Sequence, residues 1–369
     1  LSDKARLMAA QGIDVISLAG GEPDFPTPAH ITEAAFKAIQ EGATHYVSSR
    51  GIPPLLNAIA AKYEREQGLQ YDPKTEILVS PGGKMALYAA IMGTTDRGDE
   101  VLIPEPAWVS YVPMVQLADG VPVGVPLSGD DNFRVTREAL EAKISVNTRS
   151  IIFNSPSNPT GRVLTRQELE AIAEVAQMHD LLVISDEIYE KLLFDGHEHI
   201  SIATLPGMRE RTIIVNGLSK SYAMTGWRIG FAVGPKRVMN EVLKVQQHTV
   251  TCAAAFTQAA GVAALNGPQD CVAEMLEVYR QRRQLIVEGL NSLPGMHCAA
   301  PEGAFYAFPD IRGTGMSSEQ FSSHVLEQAR VAMTPGWAFG ESGEGYVRLS
   351  FANSADKLEQ TIERLRKAL

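Results

Sequence analysis

Short apolar runs and amphipathic segments alternate through the middle of the chain, and this alternation is the feature that most restricts the fold. Two runs typical of strands, Ser150–Phe153 and Leu181–Ser185, are separated by Thr165–His179, which is typical of a helix. Such alternation favours a mostly parallel sheet with helices on both faces. We therefore predict an α/β fold. Its functional residues are expected at the C-terminal ends of the strands, where ligands of such sheets bind.

The chain is long enough for a second domain, because 369 residues exceed the usual size of one hydrophobic core. A long amphipathic helix over Gln269–Asn291 is predicted to lead into a smaller α+β domain. We expect an N-terminal segment (residues 1–25) that packs with the small domain, a large domain (26–275) and the small C-terminal domain (276–369). Three runs in the small domain are predicted to be strands: Met296–Ala299, Ala304–Phe308 and Gly345–Phe351.

Charge and cysteine content exclude several classes of function. The net charge of −10, without a basic stripe, argues against a nucleic-acid partner. The longest weakly polar stretch, Cys252–Leu265, is too short to span a bilayer, and no signal peptide is visible. The three cysteines have no metal-ligand spacing, which favours a reduced, cytoplasmic setting. No metal is expected, and His197 and His199, although one residue apart, are predicted to be solvated loop residues.

One lysine lies on a turn between two predicted strands, Thr212–Val215 and Ile229–Val233. Loss of water around Lys220 would favour its neutral amine, which attacks carbonyl groups. Eight residues on, Arg228 offers a planar set of donors suited to a phosphate, and the hydroxyl of Ser219 can add another. An amine that forms a Schiff base beside a phosphate clamp is what pyridoxal phosphate (PLP) requires. A surface loop with solvated cations fits this stretch equally well.

Other residues near predicted strand ends match further requirements of the same cofactor. Asp186 ends a buried run, and its carboxylate could keep a pyridine nitrogen protonated. Tyr189, three residues on, and Asn158, in a turn, could donate to the phenolate oxygen of the cofactor. Each has a simpler explanation, since a strand-end aspartate is often a helix cap and Asn-Pro is a common turn. It is the combination that favours a cofactor site.

A glycine pair and two aromatic residues complete this set. Gly82 and Gly83 follow a predicted strand and precede a helix, an arrangement that presents free N–H groups to phosphate. Many α/β connections look the same. Trp108 could stack on the cofactor ring or belong to the core, and Tyr46 could reach a phosphate.

Five segments with a recognisable pattern occur in order along the chain: Gly21–Phe25, Ser155–Gly161, Ser185–Tyr189, Ser219–Arg228 and Val347–Ser350. With these segments the chain resembles, over essentially its whole length, the class I and II aminotransferases, which are PLP enzymes of fold type I. Within that class it is most similar to the bacterial group of aspartate, prephenate and arginine–pyruvate aminotransferases. The resemblance implies a homodimer with active sites at the subunit interface.

The resemblance also implies roles in catalysis. Lys220 would form the Schiff base with the cofactor, Asp186 would pair with the pyridine nitrogen, and Tyr189 and Asn158 would contact the phenolate oxygen. The positions on the phosphate side are Gly83, Lys84, Ser219 and Arg228, together with Tyr46 of the neighbouring subunit.

The substrate would be held by its α-carboxylate. The resemblance assigns this role to Arg348, helped by Asn158 and by the backbone of Gly21. Lys84 would hold a distal carboxylate as in aspartate and prephenate members, so we expect aspartate or glutamate with 2-oxoglutarate as one substrate pair. Two departures weaken this expectation: Ala19 replaces a frequent hydroxyl residue and Met85 replaces a common glutamine.

Three alternatives stay open. The first is an aminotransferase for neutral, aromatic or basic amino acids that uses pyruvate. The second is a PLP lyase on the same fold. The third is a non-catalytic ligand sensor, which the short segment before Gly21 disfavours.

Overall fold

A computed structural model describes residues 2–369. The strands are β1 (Ile16–Ser17), β2 (Ile77–Ser80), β3 (Glu100–Glu105), β4 (Val121–Pro126), β5 (Thr148–Asn154), β6 (Leu182–Asp186), β7 (Thr212–Gly217), β8 (Gly230–Val233), β9 (Tyr306–Ala307), β10 (Val331–Ala332), β11 (Thr334–Pro335) and β12 (Val347–Ser350). The α-helices are α1 (Ser2–Ala10), α2 (Ala29–Gln40), α3 (Pro53–Gln67), α4 (Gly83–Thr94), α5 (Tyr111–Leu117), α6 (Arg137–Glu141), α7 (Arg166–Met178), α8 (Lys236–Gln247), α9 (Ala255–Asn266), α10 (Asp270–Asn291), α11 (Ser318–Gln328) and α12 (Ala355–Ala368).

The central sheet has the strand order β2-β8-β7-β6-β5-β3-β4 within the described part of the chain. Strands β3 to β7 pair in parallel, whereas β8 is antiparallel to both of its neighbours. The predicted α/β fold with a mostly parallel sheet is therefore confirmed. Strands β6 to β8 are buried along almost their whole length, because helices cover both faces of the sheet. This explains their nearly continuous apolar sequences.

A second group of elements follows helix α10. Strands β11, β12 and β9 form an antiparallel sheet, and β1 pairs in parallel with β10. The prediction of a strand at Met296–Ala299 was wrong. Within that run only His297 forms a β-bridge, to Asp310. The residues after it, Ala299 and Ala300, are exposed and continue no ladder.

The segment 18–28 connects this second group to the large sheet. The amide of Ser350 donates to the carbonyl of Leu18, and Arg282 of α10 forms a bidentate ion pair with Asp24 at 2.7 and 2.9 Å. The hydroxyl of Thr27 donates to the carbonyl of Ala223, in the loop that follows β7. The segment therefore passes over the C-terminal edge of the sheet. Within residues 2–369, no helix is both long and apolar enough to cross a membrane.

Candidate active site

A cavity of about 670 Å³ lies where this segment, the C-terminal edge of the large sheet and strand β12 meet. It brings together most of the residues that the sequence singled out. The predicted residues that line it are Gly21, Gly83, Lys84, Trp108, Asn158, Asp186, Tyr189, Ser219, Lys220, Arg228 and Arg348. Gly82 lies directly behind Arg228. Tyr46 does not line the cavity, and 87% of its side chain is exposed.

Lys220 follows β7 and is partly buried in the wall of the cavity. Burial lowers its pKa to about 8, although the nearby carboxylates of Glu22 and Asp186 oppose this shift. Its ammonium donates to the carbonyl of Gly21 and lies 5.7 Å from the ring centroid of Phe305. A substantial fraction of this amine is therefore neutral at mildly alkaline pH, which is the form that attacks carbonyl groups.

Asp186 is the last residue of β6, and its side chain is buried. Its carboxylate accepts a hydrogen bond from the hydroxyl of Tyr111 at 2.9 Å, and Asn154 donates to its backbone carbonyl at 2.8 Å. Burial raises the pKa of Asp186 to about 6, so it is mostly ionised at neutral pH. Among the described residues no cation lies within ion-pair distance of this carboxylate, although the charge of Lys220 is near enough to oppose the rise in its pKa. A buried anion without an ion-pair partner is suited to a positively charged ring nitrogen.

Arg348 is the complementary case, a buried cation on β12. It donates to the side-chain oxygen of Asn158 at 2.9 Å, to the carbonyl of Ala19 at 2.5 Å and to the hydroxyl of Thr334 at 3.3 Å. All three acceptors are neutral, and its Nε has no partner in the described structure. Burial lowers the pKa of Arg348, since no carboxylate of the described residues offsets the lost hydration. The site therefore lacks one anion, and a ligand carboxylate would supply it.

The phosphate side of the cavity depends on close packing at a glycine. Gly82 has a φ of +86°, and a Cβ added there would lie 2.4 Å from Nη2 of Arg228. Helix α4 begins at Gly83, so its first N–H groups have no partner within the helix and face the same end of the cavity. The Nζ of Lys84 lies 4.8 Å from the ring centroid of Trp108.

Three further side chains contact predicted site residues and were not predicted from the sequence. Tyr111 and Asn154 hold Asp186, and the hydroxyl of Tyr306 lies 2.8 Å from that of Tyr189. Tyr111 begins helix α5 three residues after Trp108, and its amide donates to the carbonyl of Trp108 at 3.1 Å. Nothing local in the sequence marks Tyr306.

The expectation that both loop histidines are solvated was wrong for His199. Its side chain is only 5% exposed, and its Nε2 lies 3.0 Å from a carboxylate oxygen of Glu187, whereas His197 is exposed. Glu187 faces away from the cavity into a buried ionic cluster with Glu190 and Lys62. Glu187, Glu190 and His199 are close enough to share a metal ion. The ammonium of Lys62 already lies 2.8 Å from Glu190 and supplies a cation there.

These features fit PLP. The cofactor combines an aldehyde, a basic ring nitrogen and a phosphate. The cavity offers a partly neutral amine, a buried carboxylate without an ion-pair partner, and an arginine beside a helix N-terminus.

Comparisons with known proteins agree with this geometry. The sequence profile of the family "Aminotransferase class I and II" matches residues 13–365. An aspartate aminotransferase of Musicola paradisiaca is 45% identical over 368 residues, which cover 100% of this chain and 92% of that protein. Aromatic-amino-acid aminotransferase 2 of Thermococcus litoralis is 45% identical over 363 residues, 98% of this chain and 93% of that protein. The crystal structure of an aromatic aminotransferase from Pyrococcus horikoshii superposes with a TM-score of 0.94 at 47% identity, covering 99% of this chain and 97% of that one.

Proposed function

Because the chain belongs to the aminotransferase class I and II family, whose members use PLP, we propose that the cavity around Lys220 is its active site. There the enzyme would move an α-amino group between an L-amino acid and a 2-oxo acid. The observation that carries this assignment is the pair of unmatched buried charges. Among the described residues Asp186 has no ion-pair partner and Arg348 has no acidic partner, and both line the cavity with the lysine amine.

The cofactor would be held by residues at the ends of five strands, β2, β3, β5, β6 and β7, and by Arg228 before β8. Asp186 would pair with the ring nitrogen, and Tyr189 and Asn158 would contact the phenolate oxygen. Trp108 would pack on the ring. Residues near the phosphate would be Gly82, Gly83, Lys84, Ser219 and Arg228. When bound, PLP withdraws electrons from the substrate Cα and so makes its C–H bond acidic.

The protein would then place and move the proton. Arg348 would bind the α-carboxylate as a bidentate pair, and Asn158 would stay fixed beside it by its hydrogen bond to the guanidinium. The Nζ of Lys220 would take the proton from the substrate Cα and later return it, which its pKa of about 8 favours. In the protonated state, the carbonyl of Gly21 would accept a hydrogen bond from this ammonium, as it does in the structure.

For one of the two amino-acid/oxo-acid pairs, we propose aspartate, or glutamate and its own oxo acid 2-oxoglutarate. Lys84 lines the cavity and is held over the indole of Trp108, so its ammonium can meet a distal carboxylate. The similarity to an aspartate aminotransferase supports the same choice. Aromatic amino acids are a second candidate, because apolar Leu87 and Val109 line the same cavity and two relatives carry aromatic names.

A panel of L-amino acids, each paired with 2-oxoglutarate, oxaloacetate or pyruvate, tests the reaction and its substrates. We expect formation of the swapped amino and oxo acids, fastest with a dicarboxylic donor. Release of ammonia without an oxo-acid acceptor would indicate a lyase instead.

Substitution of Lys84 separates the two substrate classes. Lys84→Ala should raise KM for aspartate about tenfold, the usual worth of one charge-assisted contact, and leave KM for phenylalanine and alanine nearly unchanged. Equal effects on all three would exclude a role with a distal carboxylate.

We further propose a homodimer in which Tyr46 of each subunit reaches the phosphate side of the other. Tyr46 is exposed, and a groove of about 660 Å³ beside Arg228 is partly apolar, with Phe25, Trp227 and Phe256 in its wall. Light scattering should give twice the chain mass, and Tyr46→Phe should weaken PLP binding. A monomer with full activity would contradict this arrangement.

The remaining sequence predictions also stay proposals. We propose that residues 1–25 pack with a small domain of residues 276–369, which the pairing of β1 with β10 supports. We also propose a cytoplasmic location, in keeping with three unpaired cysteines in the described chain.

A further inference from the structure

Tyr306 contacts both halves of the active site. Strand β9 pairs antiparallel with β12, so Tyr306 lies opposite Ser350 and diagonal to Arg348 on the same face of the sheet. Its ring centroid is 4.7 Å from the guanidinium carbon of Arg348, and its hydroxyl oxygen is 2.8 Å from that of Tyr189. One side chain therefore links the arginine that would bind substrate to the tyrosine that would bind cofactor.

The two hydroxyl groups together leave one donor for a ligand. Both rings are buried, and burial raises the pKa of Tyr189 and of Tyr306, so both phenols stay protonated near neutral pH. They share one hydrogen bond, which uses one of their two protons. The other O–H group can point into the cavity that both residues line, and hydrogen-bonded chains of this kind polarise the terminal donor.

The hydroxyl of Tyr306 also fits closely beneath the segment that holds the lysine. A Cβ at Gly21 would lie 2.2 Å from this oxygen, and the carbonyl of Gly21 accepts the hydrogen bond from Lys220. The second face of the arginine is covered by Phe339, 5.1 Å from the guanidinium carbon. Tyr306 thus has little freedom to move without disturbing three site residues.

We propose that Tyr306 is a positioning residue for transamination. Its ring holds the guanidinium of Arg348 in the orientation that receives the α-carboxylate, and its hydroxyl fixes that of Tyr189 toward the cofactor. This inference rests on the proposed function. It adds a residue that acts through Arg348 and Tyr189 and does not itself contact the atoms that react.

Two substitutions separate the ring from the hydroxyl. Tyr306→Phe keeps the ring, so affinity for succinate and 3-phenylpropionate, two carboxylates without an amine, should stay within about twofold of wild type. Its kcat should fall about fivefold, the usual worth of one hydrogen bond. The pH midpoint of the cofactor absorbance should rise, because a weaker donor stabilises the phenolate less. Tyr306→Leu should in addition weaken both carboxylates about tenfold through the lost cation–π contact.

Tyr279→Phe is the matched control. Tyr279 is buried in the same hydrophobic cluster, and its hydroxyl has no partner among the described residues. This variant should match wild type in kcat, in the absorbance midpoint and in carboxylate affinity.

Each measurement can overturn the proposal. If Tyr306→Phe kept the wild-type kcat and the wild-type pH midpoint of the cofactor absorbance, the role of the hydroxyl would be excluded. If Tyr306→Leu kept the wild-type affinity for both carboxylates, the role of the ring would be excluded. A purely structural residue would lower the melting temperature and the bound cofactor, with kcat per bound cofactor unchanged. If the wild-type enzyme transaminates no amino acid, the proposed function fails, while carboxylate titration of the protein still tests the contact with Arg348.

Discussion

Replacement of Arg348 by glutamine should leave the unliganded protein nearly as stable as the wild type and abolish its response to carboxylates. The guanidinium is buried without an acidic partner in the described chain, so its charge costs free energy until a ligand arrives. A structural arginine usually shows the opposite arrangement, in which the guanidinium pairs with a carboxylate of the protein. Arg162, for example, forms a bidentate pair with the buried carboxylate of Glu168 at 2.7 and 3.0 Å.

The expected magnitudes follow from these contacts. Arg348→Gln loses two short hydrogen bonds from a charged donor, worth about 1.5–3 kcal/mol each, and removes a burial penalty of several kcal/mol. The two effects oppose each other, so the free energy of unfolding should change by only about 1 kcal/mol. Arg162→Gln leaves Glu168 buried without its cation, which should cost about 3–5 kcal/mol.

Urea unfolding of each protein, with and without succinate, measures both effects. At a hundred times its dissociation constant, a ligand that binds only the folded state stabilises by about 2.7 kcal/mol. Wild type and Arg162→Gln should show this increment, and Arg348→Gln should not. If Arg348→Gln lost as much stability as Arg162→Gln, or kept the succinate increment, the guanidinium would be structural and the carboxylate would bind elsewhere.

Three further predictions concern the cofactor and the buried ionic cluster. Burial raises the pKa of Asp186 to about 6, so PLP affinity should decline as pH falls through that value, and Asp186→Asn should bind PLP at least about tenfold more weakly at pH 8 by absorbance titration. A pH-independent affinity in wild type would exclude an ionised partner. Gly82→Ala should weaken PLP binding, since its Cβ would push the guanidinium of Arg228 out of its position, whereas Gly98→Ala carries similar strain at φ +88° with nothing within 4 Å and should leave PLP binding unchanged. Burial alone would lower the pKa of His199, but Glu187 raises it above its usual value of about 6.5. Because the pKa of His199 is higher in the folded than in the unfolded state, its charge stabilises the fold fully below pH 6.5, and this stabilisation is lost as pH rises. The stability deficit of His199→Gln should therefore be largest near pH 6 and shrink toward pH 9. A constant deficit would show that packing alone is lost.

The sequence predicted the family, the fold class, the aminotransferase reaction and the cofactor, and the comparisons confirm all four. The family and its reaction followed from the resemblance of five segments to known aminotransferases, and the fold class followed from the alternation of strands and helices. The location of the site could be predicted because a parallel sheet gathers the ends of its strands at one edge. Asp186 and Lys220 lie in separate motifs, yet both follow apolar runs, so their meeting in one cavity could be predicted from the order of strands and helices.

Contacts between residues that are far apart in the sequence could not be predicted from the sequence. Tyr306 meets Tyr189 across 117 positions of sequence, and no periodicity marks such a pair. His199 does lie in a loop, but its burial could not be foreseen because its partner, Glu187, lies twelve positions earlier in the sequence. The alternation of buried and exposed residues at Met296–Ala299 imitates a strand, but a ladder needs a neighbouring strand that the fold does not provide.

The amine that holds the cofactor can be identified directly. The purified protein is incubated with PLP, reduced with borohydride and digested, and the modified peptide is located by mass spectrometry. We expect a single phosphopyridoxyl group on Lys220, and no such group and no transamination in a folded Lys220→Ala variant. A phosphopyridoxyl group on Lys84 instead, or turnover by Lys220→Ala at the wild-type rate, would contradict the assignment of Lys220.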